Sequence, residues 1–110
     1  MGNYIEQRTW GTFEILLEEK YCKVKRLIIE PGKSISYQYH YKRSETWVIV
    51  QGIGEFTLDG AVKDVKAGDV LYVPVLAHHK IKNTGPDNLI FIETQTGESF
   101  SEDDIVRIHS

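Results

Sequence analysis

Four side chains in this sequence have the types and spacing to hold a metal ion: Gln38, His40, Glu45 and His79. Gln38 and His40 alternate across Tyr39, the period that puts both on one face of a strand, and Glu45 follows shortly after, just past a turn. His79 comes after Pro74, between Gly68 and Asn83, much as the first group lies between Gly32 and Gly52. Two imidazoles and a carboxylate are ordinary ligands of a divalent transition metal, and an amide oxygen can complete the set. His40, Glu45 and His79 alone also make the two-histidine, one-carboxylate triad of iron oxygenases, which keep positions open for oxygen. A fourth ligand at Gln38 would fill a position that this chemistry needs. Taken by itself, Ser34 to Tyr41 reads first as a surface strand, with Ser36, Gln38 and His40 meeting water while Tyr37, Tyr39 and Tyr41 pack.

Around these residues stand others with weaker signals. Glu45 precedes the apolar run Trp47 to Val50, where a buried carboxylate needs a cation as partner. Lys25 shares parity with Leu27 and Ile29, so an inward Lys25 needs an anion, and Arg26 then faces out. His78 falls on the face opposite His79 and reads as structural or as a rim residue. Trp10 and Trp47 suit a core or a pocket wall, and Cys22 suits packing. His109, near the end of the chain, is given no role.

The elements that must position these groups are strands. Turn signals recur at Pro31-Gly32, Gly52, Asp59-Gly60, Gly68-Asp69, Pro74, Gly85-Pro86 and Gly97. Between them lie short runs rich in β-branched and aromatic residues: Lys23 to Ile29, Thr46 to Val50, Gly54 to Leu58, Val70 to Val73, His79 to Lys82 and Leu89 to Thr94. Even spacing without a long amphipathic helix means a sandwich or barrel, with alternate residues inside. The best helical window is Phe13 to Lys20, Ser101 to Ile105 has the acidic start of a helical turn, and Val106 to Ile108 can return as a strand. The chain of 110 residues suits one domain over 1–110. A net charge of −3 gives no basic field for nucleic acid or an anionic membrane. The longest apolar run, Val70 to Ala77, is far short of a bilayer span, no secretory signal is visible, and a single cysteine fits a reducing, cytoplasmic setting.

The spaced glycines, ligands and proline resemble the two cupin motifs, with Gln38 in place of the first histidine and Leu76 in place of the usual glycine after Pro74. The stretch Ser36-x-Gln38-x-His40-x-x-Arg43-x-Glu45-x-Trp47 is similar to the C-terminal cupin domain of type II phosphomannose isomerases. So are Arg8-x-Trp10-Gly11-x-Phe13-Glu14, Tyr21-x-Lys23-Val24-Lys25-Arg26 and Glu102-Asp103-Asp104-Ile105-Val106-Arg107. The likeness runs from Arg8 to Arg107. Tyr41, Lys42 and Thr46 stand where that family often has histidines, and Ser101 where it often has glycine.

The resemblance implies an all-β cupin double-stranded β-helix, with at most a short helical turn near each end. It implies one divalent metal, zinc by preference, on Gln38, His40, Glu45 and His79. It further implies aldose–ketose isomerisation of a sugar phosphate, mannose 6-phosphate to fructose 6-phosphate. Arg107 is then expected to hold the phosphate with Lys25 behind it, and Lys25, Glu93 or a metal-bound water to move the proton. A homodimer is expected through an outer sheet face carrying Tyr37, Tyr39 and Tyr41. The rival readings are a non-catalytic domain binding a sugar or sugar nucleotide, and an iron-dependent oxygenase. Many members are fused behind a nucleotidyltransferase domain that 110 residues cannot hold, so guanylyl transfer is expected to be absent.

Overall fold

The computed structural model describes residues 3–108. These form β1 (Tyr4–Arg8), β2 (Gly11–Glu18), β3 (Lys23–Ile29), β4 (Gln38–Tyr39), β5 (Arg43–Gln51), β6 (Ile53–Leu58), β7 (Ala61–Lys66), β8 (Val70–Val73), β9 (His79–Asn83), β10 (Leu89–Gly97) and β11 (Val106–Arg107). One sheet runs β1-β2-β3-β10-β5-β8 and the other β11-β4-β9-β6-β7, every pairing antiparallel. No helix occurs among the described residues, and so none long and apolar enough to cross a membrane. The sandwich class expected from turn spacing and alternation is the one observed.

Alternation fills the space between the sheets. Inward on β3 are Lys23, Lys25, Leu27 and Ile29; inward on β5 are Arg43, Glu45, Trp47 and Ile49; inward on β10 are Leu89, Phe91, Glu93 and Gln95. Register aligns them into cross-strand rows. Leu27, Phe91 and Ile49 lie side by side, as do Leu89 and Ile29, and with Phe56, Ile81 and Trp47 they make an apolar floor. Trp47 stacks on Phe91 with centroids 4.5 Å apart and meets Phe56 edge-on at 5.4 Å. The adjoining rows, Lys25-Glu93-Trp47 and Lys23-Gln95-Glu45, make a polar mouth. One interior therefore has a dry end that holds the sheets together and a charged end that is free to do chemistry.

Three local expectations need correction. Phe13 to Lys20 is not helical but lies largely in β2. A register shift between Ile15 and Leu17 bulges Leu16, so Phe13, Leu16 and Leu17 carry helical spacing in the sequence while the backbone stays extended. Ser34 to Tyr41 is not a continuous strand: it is paired only at β4 and at an isolated bridge from Ser34 to Lys82, with Ile35 buried and Ser36 exposed. Glu45 lies within β5 rather than past a turn, pinned opposite Gln95 and Val73. Ser101 to Asp104 forms a turn closed by Asp104 N–H to the Ser101 carbonyl, and Val106–Arg107 does return as a strand. His109 lies outside the described residues.

Candidate metal centre

His40 enters from the end of β4, Glu45 from β5 and His79 from the start of β9, so both sheets supply the cluster. All three are buried, and their ligand atoms lie within 4.8 Å of one another. His40 Nε2 is 3.2 Å from Glu45 Oε2, and His79 Nε2 is 3.9 Å from Glu45 Oε1. Backbone carbonyls set both ring orientations. His40 Nδ1 donates to Asp104 O at 2.8 Å and His79 Nδ1 to Ala77 O at 2.9 Å. Each proton is thereby fixed on Nδ1, which leaves a lone pair on Nε2. Neither Nε2 has a hydrogen-bond partner despite complete burial, so at 3.2 Å an imidazole acceptor faces a carboxylate acceptor. Two orphaned nitrogens around a carboxylate form a cage for a cation, and the donor set fits a divalent transition metal.

Charge supports this reading. Burial alone would raise the Glu45 carboxyl, but His40, His79 and Arg43 beside it hold it well below the usual carboxylate range, so it is ionised. Burial pushes the His79 imidazole down, against the pull of Glu45, and keeps it neutral as a ligand must be. Glu45 is fixed at both oxygens: Arg43 Nε donates to Oε2 and Trp47 Nε1 to Oε1, each at 2.9 Å.

A strap over residues 98–107 closes this end. Asp104 accepts from the Tyr41 and Lys42 amides at 2.9 Å each, and Arg43 Nη1 donates to the Ser101 carbonyl at 3.2 Å. On the other side the Leu76 amide donates to the His40 carbonyl at 2.9 Å. Leu76 holds φ of 71°, so the position where the cupin pattern has glycine keeps the left-handed backbone without one.

Next to the triad is a cavity of about 270 Å³, and Gln38, Lys25, Glu93 and Arg107 all line it. Gln38 stands directly opposite His79, half-buried, with Oε1 accepting from Ser36 Oγ at 3.3 Å. Lys25 is inward as its parity requires, pairs with Glu102 and lies 4.3 Å over the Phe13 ring. Glu93 is buried beside it, and Gln95 Nε2 donates to its Oε2 at 2.7 Å. Burial, and then the Glu45 charge, push the Glu93 carboxyl up to about 8 against the opposing pull of Lys25. Arg107 is exposed at the rim with no ion pair among the described residues. Arg26 faces out and pairs with Glu14, as its parity predicts. His78 sits outside, stacked on Tyr39 at 4.7 Å and edge-on to Tyr37, while Tyr41 is exposed. Sequence reasoning gave no role to Arg43, Glu102 or Asp104. The parity shared by Arg43, Glu45 and Trp47 could have found Arg43; Glu102 and Asp104 stood inside the acidic closing motif, but nothing in their types assigns them these contacts.

Comparison with known proteins places this arrangement. The family described as "Mannose-6-phosphate isomerase C-terminal" matches residues 4–110. A Vibrio cholerae protein named putative mannose-1-phosphate guanylyltransferase is 41% identical over 100 residues, covering 91% of this chain and 22% of its own length. The chain thus spans about a fifth of the curated relatives it matches. A Klebsiella pneumoniae protein with a double-stranded β-helix domain superposes with a TM-score of 0.78 at 23% identity, over 88% of this chain and 83% of that one. An RmlC-like cupin from Shewanella frigidimarina gives 0.77 at 24% identity, over 92% and 87%. These structures establish the fold. The names of the relatives overturn the expected function: they are guanylyltransferases, nucleotidyl-transfer enzymes, not isomerases of mannose 6-phosphate. Guanylyl transfer, set aside above on length, is the activity those longer proteins are named for. The resemblance had its source in the domain rather than the reaction, and on that footing the chain belongs to the mannose-6-phosphate isomerase C-terminal family of cupin domains.

Proposed function

We propose that this chain is a metal-holding cupin module that binds a phosphorylated mannose and serves a protein of the mannose-1-phosphate guanylyltransferase type. The observation that carries the reading is the pair of buried, partnerless imidazole nitrogens flanking Glu45, next to a cavity lined by Lys25 and Arg107. His40, Glu45 and His79 would hold one divalent ion, zinc by preference, with the Gln38 amide completing the set. When bound, such an ion supplies a Lewis acid for sugar oxygens. Arg107, whose guanidinium has no ion pair among the described residues, takes the phosphate together with Lys25. In the metal-free protein burial keeps the Glu93 carboxyl protonated near neutral pH, where it lines the cavity as a hydrogen-bond donor. The outer face carrying Tyr37, Tyr39 and Tyr41 joins two copies as a homodimer, a mass that light scattering would measure; a monomer at micromolar concentration rules this assembly out.

The test of the site is elemental analysis after zinc loading, followed by calorimetry with mannose 1-phosphate. Wild type should hold one ion per chain and His79→Ala none. Equal metal content in the two proteins, or binding of unphosphorylated mannose as tight as that of mannose 1-phosphate, would overturn the reading.

A further inference from the structure

The cations that line the cavity differ in what already holds them. Arg43 is buried and committed to Glu45 and to the Ser101 carbonyl, so it belongs to the framework. Arg8 is exposed and paired with an equally local Glu6 at 2.6 Å. Lys25 is different. Its side chain is only 6% exposed, yet its partner Glu102 is 42% exposed and arrives from the strap. An ammonium buried this deeply requires a negative partner. Its cross-strand neighbour Glu93 is a poor one, its carboxyl already being taken by Gln95 Nε2 at 2.7 Å. The charge on Lys25 is therefore answered by a carboxylate reaching in from the surface.

The turn that carries Glu102 is anchored on both sides. Ser101 is held by Arg43, and its hydroxyl accepts from the Asp103 amide at 3.1 Å. Asp104 is held by two backbone amides. The Glu102 backbone is fixed while its half-exposed side chain has room to rotate into solvent.

Resting on the proposed binding of a phosphorylated mannose, we infer that Glu102 is the resident occupant of the anion subsite. Its carboxylate fills the place at Lys25 Nζ that the phosphate of the ligand takes, and it swings out to solvent when that ligand binds. The shared chemistry is an oxyanion on a buried ammonium. A neutral sugar cannot replace the carboxylate without leaving Lys25 unanswered, so the exchange discriminates for phosphorylated ligands and against free ones. Glu102 sets specificity by competition, lowering affinity for every ligand and lowering it most for uncharged ones.

Calorimetry on the zinc-loaded protein tests this with inorganic phosphate, mannose 1-phosphate, mannose 6-phosphate and free mannose as probes. Glu102→Gln should melt at a lower temperature than wild type, having lost an ion pair, and yet bind each phosphate about three- to tenfold more tightly. Asp103→Asn removes the same charge from the adjacent exposed position and should leave the affinities unchanged. In the wild type, inorganic phosphate should shift the carboxylate carbon resonance of Glu102, a readout that survives if the variant folds poorly. Wild type that binds phosphates with Glu102→Gln no tighter, or with Asp103→Asn tighter to the same degree, overturns the inference and leaves the binding function standing. Failure of wild type and Glu102→Gln alike to bind any phosphate overturns both.

Discussion

Glu93→Gln should stabilise the metal-free protein, and by an amount that depends on pH. The Glu93 carboxyl is lifted by burial from an ordinary 4.5 to about 8, so the folded chain holds a proton that the unfolded chain releases. A group raised in the folded state contributes its full stability below about 4.5 and loses it as pH climbs through about 8. At pH 7 the folded protein keeps a proton that the open chain gives up, and at about 1.4 kcal/mol per tenfold that retention costs about 3 kcal/mol. An amide is uncharged at every pH and can accept from Gln95 Nε2 as the carboxyl does, while its added N–H groups face the cavity. The variant should therefore match wild type near pH 4.5, exceed it by about 3 kcal/mol at pH 7, and melt about 10 °C or more above it there. The measurement is denaturant and thermal unfolding from about pH 4.5 to 9 with chelator present, because a cation beside Glu45 would change the field at Glu93. Glu45 and His79, both lowered in the folded state, act with the opposite sign and weaken both proteins in acid, so they cancel in the difference. A gap that is constant across the range, or a wild type more stable than the variant at pH 8, would refute this account.

Leu76→Gly should raise stability by about 0.5–1 kcal/mol in urea unfolding, since Leu76 sits at φ 71° and half-exposed, with little packing to lose. Gly97→Ala should lower it by more than about 2 kcal/mol, because an added Cβ would come 2.3 Å from the carbonyl oxygen of Lys42, the residue just before β5. Asp104→Ala should weaken zinc affinity about tenfold or more through the loosened orientation of His40, with Asp104→Asn recovering part of it; competition with a zinc chelator would show this.

Much of the centre was legible because strands alternate. The face that Lys25 shares with Leu27 and Ile29 is interior, and the spacing of His40, Glu45 and His79 reflects three side chains of ligating type that the fold brings together. Alternation failed where the backbone departs from it. The bulge at Leu16 disguised β2 as a helix, and Ile35 broke the even face that Ser36 was expected to continue. Asp104 was illegible for another reason: it reaches His40 through a backbone carbonyl 64 residues away, a contact that no side-chain type announces. The reaction was misread because ligand spacing reports a domain, and the same domain occurs inside longer proteins named for different chemistry.

The strap has a consequence for the order in which the molecule comes into being. Every buried apolar residue of the core lies between Phe13 and Phe91, so the floor can close once β10 has emerged from the ribosome. The strap adds nothing to that floor, yet it fixes the His40 ring, braces Arg43 and answers Lys25. These contacts span some of the longest separations in the chain and are slow to form. A nascent chain halted before Asp104 would hold all of its apolar core and an unset His40, so a barrel can exist for a time before it has a site.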